Sequence, residues 1–117
     1  MQKPKEFHRT TLNVAFDEHT VLPLSGIYIL AYMGEVVYVG KAMDISARLR
    51  SHCVIQARKR QQLIDGWLWN MVWDYGNVRL DILETPDECN EQQWLRATEA
   101  ACIRQFRPLF NVSLNTH

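Results

Sequence analysis

The chain lacks the marks of a secreted, metal-stapled or membrane-bound protein. Its three cysteines, Cys53, Cys89 and Cys102, are odd in number and widely spaced, with no Cys-x-x-Cys pair. Nor do they stand at metal-finger spacing from His8, His19, His52 or His117, so they read as free thiols in a reducing compartment. The N-terminal MQKPKEFHRTTLNVAF has no apolar run of signal-peptide length, and no stretch is long enough to cross a bilayer. A cytoplasmic protein without a membrane partner is expected. Net charge is lacking too: 13 Lys and Arg balance 13 Asp and Glu, which removes the field that gives strongly basic proteins a nonspecific grip on nucleic acid. There are no repeats, low-complexity tracts or linkers, and 117 residues suffice for one core with little left for a second module.

What charge there is, is unevenly placed. Residues 41–60 carry Lys41, Arg48, Arg50, Arg58, Lys59 and Arg60 against Asp44, whereas residues 80–91 carry Asp81, Glu84, Asp87, Glu88 and Glu91 with no basic residue. One end of the fold is expected to be basic and another acidic.

Residues 1–24 read as an N-terminal arm or edge segment laid against a domain spanning 25–117. Within that domain, residues 26–32 (GIYILAY) and 36–40 (VVYVG) are rich in β-branched and aromatic residues, and Met33-Gly34-Glu35 supplies a turn glycine between them. The resulting hairpin places Tyr28 opposite Tyr38 or one step diagonal to it, close enough for the rings to interact. Asp44 is a good N-cap for a helix running to about Arg60, on which Arg48 and His52 share a face. A short helix ending at Gly76 is expected over the aromatic run that starts at Trp67. Residues 78–84 alternate with period two, the pattern of a half-buried third strand. A last helix runs from about Asn90 to Phe106, stopped by Arg107-Pro108 because the residue before proline is pushed out of helical geometry.

On that helix Leu95, Glu99, Cys102, Ile103 and Phe106 recur at steps of three and four, which puts Glu99 inside the stripe facing the core. An unpaired buried carboxylate is costly, so Glu99 calls for a cation, either a metal ion or an arginine such as Arg48. A structural ion pair, or a helix rotated enough for Glu99 to reach water, would also satisfy it. Phosphodiester cleavage needs a base or water-positioning group, a cation on the nonbridging oxygens and often a metal ion. Tyr28, Tyr38, Lys41, Arg48, His52 and Glu99 supply those types.

Taken in order, these residues resemble the GIY-YIG nuclease family. Gly26-Ile27-Tyr28 and Tyr38-Val39-Gly40 stand for the two name motifs, with Val39 in place of isoleucine; Lys41, Arg48, His52 and Glu99 follow, and Pro108-Leu109-Phe110-Asn111 resembles the family's closing segment. The resemblance runs from Gly26 to Asn111. It implies an α+β fold, a small three-stranded antiparallel sheet flanked by helices, and a metal-dependent DNA endonuclease that leaves 5′-phosphate ends. A non-catalytic nucleic-acid-binding module on the same scaffold and an RNA-directed nuclease are the alternatives.

Roles follow from the resemblance together with side-chain chemistry. Glu99 would hold one Mg²⁺ or Mn²⁺, with water and phosphate oxygens completing the shell. Arg48 would clamp the scissile phosphate. Tyr28 is the first choice for handling the attacking water and Tyr38 the second, with both phenols facing a pocket beside Glu99. A phenol titrates near pH ~10, so positive charge from Lys41, Arg48 or the metal is needed to make it a base. Lys41 does that or touches phosphate, and His52 relays a proton or binds a flanking phosphate. Arg58, Lys59 and Arg60 are candidate DNA-backbone contacts, or a solvated helix face. Gly26, Gly40 and Asn111 support the site, Asn111 by fixing local backbone. A homodimer or other homo-oligomer would let one site serve each strand.

Overall fold

Strand-forming residues pair as their patterning directs. The computed structural model describes residues 2–12, 22–49, 78–108 and 111. Among these, four strands form one antiparallel sheet: Phe7–Leu12 (β1), Gly26–Tyr32 (β2), Glu35–Ala42 (β3) and Val78–Glu84 (β4), in the order β1-β4-β2-β3. The expected α+β architecture is present, its three expected strands being β2, β3 and β4. A fourth comes from the N-terminal segment, where β1 pairs with β4 from Phe7↔Leu83 to Leu12↔Val78. It covers an edge of β4 that would otherwise present unpaired backbone groups. A bidentate contact reinforces that pairing: Arg9 Nε and Nη2 donate to the two carboxylate oxygens of the buried Asp81 at 2.8 and 3.0 Å.

Met33 and Gly34 form the two-residue loop of the hairpin, with φ of 52° and 83°. Consecutive positive φ angles match the twist of the strands, and glycine adopts one without strain. The β2–β3 register shifts between Leu30 and Ala31, which pair with Tyr38 and Val36. Val37 is the extra residue of this bulge, so Val37 and Tyr38 both pack in the same layer.

Two layers sandwich the sheet. Tyr28, Leu30, Leu80 and Ile82 pack with Ile45 and Leu49 on one face, and Ile27, Ile29 and Val39 pack with Trp94, Leu95, Cys102 and Ile103 on the other. A slip of one residue would exchange the two sets, so burial on both faces fixes the register.

Residues 45–49 are helical (α1). Their start is fixed by Asp44, whose Oδ1 accepts from the Ala47 N–H at 3.0 Å, and by Ile45 N–H donating to the Leu24 carbonyl at 2.8 Å. The expected continuation of this helix to Arg60 and the expected helix before Gly76 lie outside the described residues. The last helix spans Glu91–Phe106 (α2), capped by Asn90 Oδ1 accepting from Gln93 N–H at 3.1 Å. At its other end Arg107 turns to φ 48° ahead of Pro108, and its N–H still reaches the Ile103 carbonyl at 2.8 Å.

Candidate active site

The β2–β3 ladder sets Tyr28 opposite Gly40 and Leu30 opposite Tyr38, so the two phenols are diagonal neighbours on one face. Their rings stack with centroids 6.0 Å apart and planes 28° apart. Each motif glycine is required by a close approach. A Cβ on Gly40 would collide with Cζ and Oη of Tyr28, and one on Gly26 with the Leu83 carbonyl oxygen of β4.

Arg48, on α1, hydrogen-bonds Tyr28. The Tyr28 side chain is 1% exposed, and this burial raises its pKa above that of an ordinary phenol. Tyr38 adds to the rise while Arg48 opposes it without prevailing. Near neutral pH Tyr28 is therefore a neutral phenol that donates and accepts hydrogen bonds.

Strand alternation sends Lys41 to the other face, toward α2. There its Nζ lies 3.8 Å from Glu99 Oε1, with the Glu99 side chain 18% exposed. The cation at Glu99 is thus Lys41, whereas Arg48, expected as a partner, stands with the tyrosines. Burial pushes the Glu99 pKa up and Lys41 pulls it down, the net shift being upward. Burial, with a smaller contribution from the same carboxylate, raises the pKa of the Cys102 thiol one turn along. Tyr28 and Tyr38 pack in the layer of α1, Glu99 rides on the helix of the opposite layer, and the two groups meet through the consecutive residues Gly40 and Lys41 of β3.

Asn111 secures that strand from its open edge. Its Oδ1 accepts from the Val39 N–H at 2.8 Å and its Nδ2 donates to the Val39 carbonyl at 2.7 Å, as a neighbouring strand would. The amide thus fixes the backbone between Tyr38 and Gly40. His52, Arg58, Lys59 and Arg60 lie outside the described residues.

One cluster was not foreseen. Glu6, His8 and Glu84 bring ligand-type atoms within 4.8 Å of one another at the end of the β1–β4 pair. His8 Nε2 is 2.8 Å from Glu84 Oε1 and 3.6 Å from Glu6 Oε2, and Lys5 Nζ is 3.7 Å from Glu84 Oε2. Its members are separated by up to 78 positions in the sequence, so only the β1–β4 ladder assembles it.

No protein-family model matches the chain. Over 89 residues it is 33% identical to UvrABC system protein C of Thermotoga petrophila, and equally to the protein of that name from a second Thermotoga strain. The match takes in 76% of this chain and spans 14% of the length of each relative. The fold matches that of a mutant of bacteriophage T4 EndoII with a TM-score of 0.63 at 20% identity, covering 90% of this chain and 91% of the other. The chain belongs to the GIY-YIG family. Its first GIY-YIG motif opens β2 and its second lies within β3, so the two strands that carry the name are hydrogen-bonded neighbours. Among the described residues of this GIY-YIG chain, no helix is long and apolar enough to cross a membrane.

Proposed function

We propose that this GIY-YIG chain is a DNA endonuclease, dependent on Mg²⁺ or Mn²⁺, that hydrolyses phosphodiester bonds and leaves 5′-phosphate ends. The observation that carries the reading is Glu99 held against Lys41 on the strand whose preceding residues carry the Tyr38 ring and the Gly40 notch beneath Tyr28. A packing motif alone has no need of a half-buried carboxylate and lysine at that place.

The donor set suits a hard divalent ion. A single carboxylate, already short of water, offers oxygen ligands and leaves the remaining positions to water and phosphate. Bound at Glu99, such an ion supplies Lewis-acid stabilisation of the leaving 3′ oxygen. The residues of the chain do the rest. Arg48 is exposed beside the tyrosines, and its guanidinium takes the nonbridging oxygens of the scissile phosphate. Lys41 keeps Glu99 ionised and adds positive charge where the phosphorane gains negative charge. Tyr28, buried and protonated, orients Arg48 and Tyr38, so the water falls to the half-buried Tyr38. Water attacks phosphorus, the bond from phosphorus to the 3′ oxygen breaks, and that oxygen takes a proton; a 3′ hydroxyl and a 5′ phosphate result. One such site cuts one strand, so a double-strand cut calls for two copies or two events.

The test is direct. Purified protein nicks or cuts plasmid DNA with Mg²⁺ and stops with chelator, and Glu99→Ala and Arg48→Ala each abolish cutting while the fold survives. Undiminished cutting by both variants overturns the assignment.

A further inference from the structure

Gln92, Arg96 and Glu99 fall on one stripe of α2, at steps of four and three. Toward the start of the helix from the Lys41–Glu99 pair lies a cavity of about 280 Å³, lined by Lys41, Ala42, Met43, Gln92, Leu95 and Arg96. Among the described lining residues two are cations and none is a carboxylate. Lys41 is shared with Glu99. Arg96 is exposed, makes no ion pair within the described residues, and lines the cavity. Leu95 is buried against the sheet and Met43 is 53% exposed, which gives the same cavity an apolar side.

A cation and an amide beside an apolar wall match one chemical unit, a phosphate joined to a sugar. Guanidinium and amide donors pair with phosphate oxygens, and aliphatic carbons take the face of the ribose ring. Phosphates recur about every 3.4 Å of rise along one strand of a duplex. The cavity shares Lys41 with the Glu99 pair, so a strand with one phosphate at that pair can set the neighbouring phosphate in the cavity.

We infer that the Lys41–Gln92–Arg96 cavity is a subsite for the DNA phosphate next to the scissile one, with Arg96 as its principal grip. The inference rests on the endonuclease reading and extends it to α2, a helix that otherwise contributes only Glu99. Arg96 and Gln92 hold the backbone so that the scissile phosphate is presented to Arg48 and the carboxylate.

The experiment measures binding without cleavage. Anisotropy of a labelled duplex carrying a mapped cleavage site is followed in chelator, across a salt series, for the wild type, Arg96→Ala and Arg96→Lys. Arg96→Ala is expected to bind about 5- to 10-fold more weakly, and its dependence of log K on log salt to lose about one unit of slope. Arg96→Lys recovers the slope and only part of the affinity, because a point charge replaces a planar fork. Replacing the neighbouring linkage by a neutral methylphosphonate weakens the wild type by a similar factor and weakens Arg96→Ala no further. Equal affinity and slope for the wild type and Arg96→Ala, with cutting intact, overturns the subsite and leaves the nuclease reading standing. A wild type that neither binds nor cuts DNA overturns both.

Discussion

The ring of Tyr28 lies over Gly40, its partner across the β2–β3 ladder, so closely that a Cβ at position 40 would stand 2.7 Å from Cε2 and nearer still to Cζ and Oη. The two halves of the GIY-YIG signature are therefore one packing unit. Gly40→Ala should force the ring aside and cost about 1–3 kcal/mol, the usual penalty of overpacking. In a Tyr28→Ala background the same change should cost much less. Denaturant melts of the four members of the cycle check this; equal costs in both backgrounds would show that the ring is not what excludes a side chain.

Asn111 and Val39 form the second such unit. Asn111→Ala leaves a backbone N–H and C=O of the edge strand without their partner, at about 1–3 kcal/mol if water cannot reach both. Asn111→Asp keeps the acceptor but sets a carboxylate oxygen against the Val39 carbonyl, and should be no better than alanine. Hydrogen exchange at the Val39 amide reads the effect locally, and unchanged protection in both variants would remove Asn111 from the account.

The Glu99 carboxyl has a pKa above its ordinary value because burial outweighs Lys41. For a group raised on folding, the stabilising contribution is fully present below the unfolded value of 4.5 and is lost as pH rises through the folded one. Glu99→Gln should therefore match the wild type in acid and melt higher than it at neutral pH, while its cutting is lost. The acid limb of wild-type activity should be shifted upward from where an ordinary carboxylate would set it, since the ionised form is the one that holds a cation. A Glu99→Gln melting curve parallel to the wild type from acid to neutral pH would contradict the shift.

Lys41 is the counter-charge in that balance. Lys41→Met should raise the Glu99 pKa further and move the acid limb of activity upward, whereas Lys41→Arg should hold it near the wild-type position. Carboxyl chemical shifts of Glu99 followed through a pH titration give the answer, and an identical titration in Lys41→Met would deny the pair any electrostatic role.

The anchoring of β1 depends on Arg9 and Asp81. Asp81 is 4% exposed, accepts both Arg9 bonds and has Arg79 Nε at 3.3 Å, whose geometry makes it an ion pair without a hydrogen bond. Arg9→Ala should destabilise the protein by withdrawing two charge-assisted bonds from a buried carboxylate. The loss should appear first as faster amide exchange along residues 7–12. Exchange that speeds up uniformly across the sheet would point to global destabilisation instead.

Local features were legible where local rules govern. The Met33-Gly34 turn, the Asp44 cap, the start of the last helix near Asn90, its stop at Arg107-Pro108 and the period-two strand at 78–84 each follow from residues within a few positions of one another. β1 was harder to read, since Phe7-His8-Arg9-Thr10-Thr11-Leu12 alternates weakly and gains its strand character from the edge of β4. The placement of Glu99 on a core-facing stripe was legible for the same reason as the helix. Its partner was not, because choosing Lys41 over Arg48 depends on which face of β3 the Lys41 side chain leaves from and on which side of the sheet α1 carries Arg48.

The sequence by itself determined the strands at 26–32, 35–42 and 78–84 and the helix at 91–106, that one carboxylate would lie on an apolar stripe, and that the ordered motifs resemble GIY-YIG. Only the tertiary structure decided that the tyrosines, packed in the layer of α1, and Glu99, carried on α2, both approach β3 at the consecutive residues Gly40 and Lys41, and that Arg96 borders a cavity beside Lys41. The physical reason is register. Periodicity tells which residues share a face of their own element, but which face meets which helix is fixed by pairing and burial between segments far apart in the chain.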